Sequence, residues 1–107
     1  MTTVAESTPL SVTVERDGDR VTVRAQGEVD IDNCQRFGDA LLAEAAAGVK
    51  VRVDLSEVGY MDSSGLRSLL SAKAATEAAG GTFTLSAASS IIRRLLEITG
   101  LAGMIEP

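Results

Sequence analysis

The sequence predicts one two-layer α/β domain: a mixed sheet of four or five strands with its helices packed on one face. Three observations predict it. Four stretches alternate apolar with polar residues, the signature of strands buried on one side, whereas strands sandwiched between helical layers read as continuous apolar runs. Segments with apolar residues at helical spacing separate the later stretches. The length of 107 residues, 45% of them hydrophobic, suits one core.

Residues 1–9 are small and polar and read as a flexible tail, which leaves 10–107 as the domain. From Leu10, the residues Leu10, Val12 and Val14 share one face of a first strand and Ser11, Thr13 and Glu15 the other. Arg16-Asp17-Gly18-Asp19 supplies hairpin chemistry, and Val21, Val23 and Ala25 then alternate in a second, antiparallel strand. Gly27-Glu28-Val29-Asp30 breaks the alternation. Asp30, Asp32 or Asn33 can cap a helix that carries Cys34, Phe37, Leu41, Leu42 and Ala45 inward until Gly48 stops it. A third strand over Lys50–Leu55 hands over to a polar turn, and a helix from about Ser64 to Ala79, with Leu66, Leu69 and Leu70 inward, closes at Gly80-Gly81. Phe83 and Leu85 mark a fourth strand. Ser89 or Ser90 caps a last helix bearing Ile91, Ile92, Leu95 and Leu96, Thr99-Gly100 ends it, and Leu101 to Ile105 offers a short fifth strand. Right-handed crossovers join the later, parallel strands.

Composition narrows the function classes. Aromatic residues make up 3% and tryptophan is absent, so Val, Leu, Ile and Ala build the core, with Phe37, Phe83 and, where it fits, Tyr60 as large pieces. No aromatic platform for bases is available. A formal charge of −5 and no Lys/Arg-dense stripe argue against nucleic acid as a direct partner. Cys34 is the single cysteine, which excludes an internal disulfide and fits a reducing cytoplasm; packing is its first reading, with a dimer-linking thiol as the residual one. No apolar run is long enough to span a bilayer, and the N-terminus lacks the regions of a signal peptide. The expectation is a cytoplasmic monomer or weak dimer.

In open α/β sheets, functional groups collect beyond the carboxyl ends of the strands. Glu28-Val29-Asp30 and Asp62-Ser63-Ser64-Gly65 meet that condition, and they form one acidic, hydroxyl-bearing surface if their strands are neighbours. Asp, Ser and Gly before a helix are also ordinary capping residues. A serine beside a glycine invites comparison with a hydrolase nucleophile, but the motif's first glycine is missing and the chain contains no histidine. The lysine alternatives reduce to Lys50 and Lys73, and Lys73 stands about two to three helical turns beyond the serines. No enzyme activity is expected. No phosphate-binding or dinucleotide glycine motif occurs, no cofactor is implied, and Glu28, Asp30 and Asp62 read first as a solvated rim and only second as metal ligands. The serines point to being acted upon. A phosphate at a helix mouth gains about 0.3–1 kcal/mol from the dipole, offset by the neighbouring carboxylates, so the fold should tolerate it while a docked partner should not.

The run Val53-Asp54-Leu55 through Met61-Asp62-Ser63-Ser64-Gly65-Leu66 resembles the phosphorylation motif of bacterial anti-sigma-factor antagonists, which are single STAS domains. Gly27-Glu28-Val29-Asp30 resembles their earlier acidic motif, and Arg94-Leu95-Leu96-Glu97-Ile98-Thr99-Gly100-Leu101 their late helix and turn. The likeness covers about Leu10 to Ile105 and keeps the family's order. It implies partner switching in transcription regulation and stress response: the unphosphorylated form binds an anti-sigma factor serine kinase and frees a sigma factor, phosphorylation of Ser63 switches it off, and a metal-dependent serine phosphatase restores it. Ser64 is the minor alternative acceptor. Glu28, Asp30, Asp62, Ser63, Ser64 and Gly65 would form the partner-binding surface. A non-switching STAS scaffold subunit of a transporter or stress-signalling complex is the alternative that the resemblance also allows.

Overall fold

The computed structural model describes residues 9–107, so the expected tail, apart from Pro9, lies outside the described residues. The chain runs β1 (Ser11–Asp17), β2 (Arg20–Val29), α1 (Cys34–Leu42), β3 (Lys50–Met61), α2 (Ser63–Ala78), β4 (Thr82–Ala88) and α3 (Ser90–Ile98), then a single 3-10 turn over Ala102–Met104. The sheet has four strands in the order β1-β2-β3-β4, the first pair antiparallel and the others parallel. Gly18 makes the hairpin possible. With Asp17 opposite Arg20, two residues turn the chain, and only the first has a positive φ, of 63°, which suits glycine at that position.

One face of the sheet is apolar and covered. Val21, Val23, Ala25, Val51, Val53, Leu55, Phe83 and Leu85 are buried on it, against Phe37 and Leu41 of α1, Leu69 and Ala72 of α2, and Ile92 and Leu96 of α3. The other face carries ion pairs. Arg24 Nε donates to Asp54 at 3.2 Å, while Arg52 donates to both carboxylate oxygens of Glu106 at 2.8 and 2.9 Å and the Thr84 hydroxyl adds a bond of 2.7 Å.

Several expectations are corrected. β3 does not end at Leu55 but continues to Met61 through two register shifts against β2, between Arg24/Gln26 and Gly27/Glu28. Each places one extra residue on β3, so burial passes from Leu55 to Val58 to Met61 in steps of three. The expected polar turn is therefore bulged strand. α1 stops at Leu42, short of Gly48, and Leu42 faces solvent, because the helix buries only Phe37, Gly38 and Leu41. Glu44, just past it, is buried against Arg16, whose Nη2 lies 2.8 Å away. Val14 is exposed on the edge strand β1, although its partner Val23 on β2 is buried. The inward face of α2 is Gly65, Leu69, Ala72 and Thr76, with Leu66 and Leu70 at its margins. Ile91 and Tyr60, expected in the core, are 53% and 47% exposed. Residues 101–105 add no fifth strand: the 3-10 turn brings Ile105 to a single bridge with Leu85, and the Glu106 amide donates to the Leu85 carbonyl at 2.8 Å.

Candidate functional site

The site forms where β2 and β3 end together. Glu28 pairs with Tyr60 and Val29 with Met61, and the Asp62 amide donates to the Val29 carbonyl at 3.1 Å. The two acidic segments singled out in the sequence are thus brought side by side. Asp62 then starts α2: its Oδ1 accepts from the amides of Ser64 at 2.9 Å and Gly65 at 3.1 Å, two of the donors that a helix leaves unsatisfied at its start. Ser63, the first helical residue, is exposed, and among the described residues its hydroxyl has no hydrogen-bond partner. Ser64 is half-buried. The helix begins one residue earlier than expected, which puts Ser63 inside its first turn.

Gly65 belongs to the site through packing. A Cβ there would lie 2.7 Å from Val29 Cγ1 and 2.8 Å from Met61 Cγ, so the absence of a side chain is what lets α2 approach both strand ends. The residue is a steric requirement, and only indirectly part of any surface. Asp30 also differs from the expectation of a free rim carboxylate. Its Oδ1 accepts from the amides of Asp32 at 3.0 Å and Asn33 at 3.3 Å, closing a local turn. Asn33 caps no helix with its side chain; instead Oδ1 accepts from the Asp30 amide and Nδ2 donates to the Glu28 carbonyl, both at 2.9 Å. It holds the segment from Glu28 to Asp30 in shape. Asn33 is expected from the sequence only as a cap; its spacing of three from Asp30 is the signal for this further role.

Ser89, expected from the sequence as a cap, also ties a second element to the site. Ser89 caps α3 by accepting from the Ile92 amide at 3.3 Å, donates through Oγ to the Val58 carbonyl at 2.6 Å, and donates its own amide to Leu55 at 3.2 Å. α3 is thereby fastened along the last part of β3, and an apolar groove of about 270 Å³ opens between them, lined by Tyr60, Met61, Ile91, Arg94, Leu95 and Ile98. The exposure of Tyr60 and Ile91 next to a polar loop could not be read without knowing that β3 is bulged.

Charges perturbed from their ordinary behaviour lie elsewhere, on the uncovered sheet face. Hydrogen bonds from Arg52 and Thr84 hold the Glu106 carboxyl down at about 2, against the mild opposition of burial. The same partner raises Arg52. Burial works against the Asp54 carboxylate, but the Ser56 hydroxyl and amide and Arg24 together outweigh it and hold it below the usual range. Lys73, the nearest lysine along the chain to the serines, is engaged with Glu77. Among the described residues, no group of three His, Cys, Asp or Glu side chains could hold a metal ion, and no helix is long and apolar enough to cross a membrane. Cys34 is half-buried against the core at the start of α1.

Residues 12–106 match a family model described as Mlab, STAS domain. The anti-sigma-B factor antagonist of Listeria monocytogenes is 36% identical over 93 residues, which cover 86% of this chain and 82% of that protein. The anti-sigma-B factor antagonist of Bacillus subtilis is 30% identical over 97 residues, covering 91% and 89% respectively. The crystal structure of an anti-sigma factor antagonist from Mycobacterium paratuberculosis superposes with a TM-score of 0.77 over 92% of this chain and 86% of that one, at 24% identity, a likeness of fold.

Proposed function

Because the chain belongs to the STAS domain family, we propose that it acts as an anti-sigma-factor antagonist, switched by phosphorylation of Ser63. One observation carries the reading: Asp62 takes up the amides of Ser64 and Gly65 and leaves the neighbouring Ser63 hydroxyl exposed where β2 and β3 end. The relatives from Listeria monocytogenes and Bacillus subtilis, both anti-sigma-B factor antagonists, support the same reading. The unphosphorylated surface, with Glu28, Asp62, Ser63 and Ser64 around the strand ends, docks onto an anti-sigma factor that is itself a serine kinase. In the transfer step, Ser63 Oγ attacks the γ-phosphorus of ATP, its proton passes to a base on the kinase, and the bond to the β-phosphate oxygen breaks to release ADP. A phosphatase reverses the state by adding water to phosphorus, which returns the serine hydroxyl and inorganic phosphate.

The physical effect falls on binding. The phosphate brings about −1.5 to −2 charges at neutral pH. At an exposed first-turn position it leaves the core untouched, whereas a partner closing over it must desolvate the phosphate at a cost on the order of several kcal/mol. The test is mass spectrometry after incubation with the cognate anti-sigma kinase and ATP. A single phosphate on Ser63, abolished by Ser63→Ala, is expected. Phosphate on no residue, or on one distant from both Ser63 and Ser64, overturns the reading. Affinity capture that recovers transporter components in place of an ATPase-fold kinase assigns the chain to the scaffold class instead.

A further inference from the structure

Asp62 restricts what a phosphate on Ser63 can bind. The Ser64 and Gly65 amides, which a helix start would otherwise turn toward an anion, are already bonded to the Asp62 carboxylate. Counter-charge must come from a side chain. The carboxylates of Asp62, Glu28 and Asp30 share this end of the sheet and repel the phosphate. Of the nearby cations, Lys73 is paired with Glu77 at 2.6 Å, and Arg94 belongs to α3, where it lines the apolar groove. Arg67 differs from both. It is exposed on α2, four residues after Ser63, and among the described residues it pairs with no carboxylate, Asp39 across the α1–α2 groove included.

Residues four apart on a helix face each other with Cβ atoms about 5–6 Å apart, and the favoured order places the anion first and the cation second. Ser63 and Arg67 have that order once the serine is phosphorylated. The neutral hydroxyl gives the guanidinium no charge to meet, whereas a phosphate offers two oxygens in the fork geometry that arginine matches.

We propose that Arg67 is the internal counter-charge of phosphoserine at position 63, so that one modification adds an anion to the docking surface and withdraws a cation from it. The inference rests on Ser63 being the acceptor. It makes the switch two-sided: a partner surface that favours the free Arg67 loses that cation at the moment it meets the phosphate. Ser64, three residues before the same arginine, is half-buried, whereas Ser63 is exposed.

The test installs phosphoserine at position 63 during synthesis, through an expanded genetic code, so that no kinase is required. Phosphorus NMR then follows the second ionisation of the phosphate, ordinarily near pH 6, in the parent chain and in Arg67→Gln, Arg67→Lys and Arg94→Gln. The titration is expected to move up by about half a pH unit in Arg67→Gln at low salt, to stay near the parent in Arg67→Lys, and to be unmoved in Arg94→Gln. Identical titrations for the parent and Arg67→Gln overturn the proposal, as does a shift produced by Arg94→Gln alone. Failure of the kinase to modify Ser63 overturns the functional reading and leaves the NMR result standing, so the two are separable.

Discussion

At Gly65 a single methyl group decides whether the start of α2 can rest on the ends of β2 and β3. The approach of 2.7 and 2.8 Å to Val29 and Met61 leaves no room for one, so Gly65→Ala is expected to cost on the order of 1–3 kcal/mol, read as a lower urea midpoint. The same substitution should shift Ser63, and on the proposed function its phosphorylation should slow. Asp62→Ala removes the acceptor of two amides and should cost about 1 kcal/mol, while Asp62→Asn, an equally good cap, should retain most of it. These residues were legible because capping chemistry is local: an aspartate, two serines and a glycine announce a helix start in any context. The reason for the glycine was not legible. It lies in two side chains from other elements, Val29 and Met61, whose approach only the tertiary structure reveals.

Strands and helices show the same division between local and distant causes. β4 and the first parts of β1 and β2 follow from uninterrupted alternation, although Val14 is exposed and β2 runs on to Val29 where the pattern breaks, and the caps of α2 and α3 sit where aspartate and serine precede apolar periodicity. β3 outruns its alternation because the two bulges change its period from two to three after Leu55, a pattern that resembles neither strand nor helix. The consequence reached the site, since the missed half of β3 carries Tyr60 and one wall of the apolar groove. Ser89 joins the elements there. Ser89→Ala loses both the cap of α3 and the bond to the Val58 carbonyl, with an expected loss of about 1–2 kcal/mol. Hydrogen exchange should show the amides of α3 and of residues 58–61 opening together in that variant, and independent opening would argue against the coupling.

Over the whole molecule, the uncovered sheet face ties stability to pH. The Glu106 carboxyl titrates at about 2 in the folded chain against an ordinary 4.5, so its pairing with Arg52 and Thr84 stabilises the fold fully above about pH 4.5 and is lost as pH falls toward 2. Asp54, also held down, acts in the same direction. Urea midpoints measured between pH 5 and 2 should therefore fall less steeply for Glu106→Gln than for the parent, and equal slopes would remove Glu106 as the cause. Strand order has a different consequence, for synthesis. Because β1, β2, β3 and β4 lie in the sheet in the order in which they occur in the chain, no strand must wait for a later one to fill a gap beside it. A ribosome releasing this chain delivers each strand to a neighbour already made, although the parallel pairs β2–β3 and β3–β4 join residues far apart in the sequence. By the time α2 has emerged, every residue around Ser63 that comes from β2, β3 and α2 has been made, while β4 and α3 are still to come.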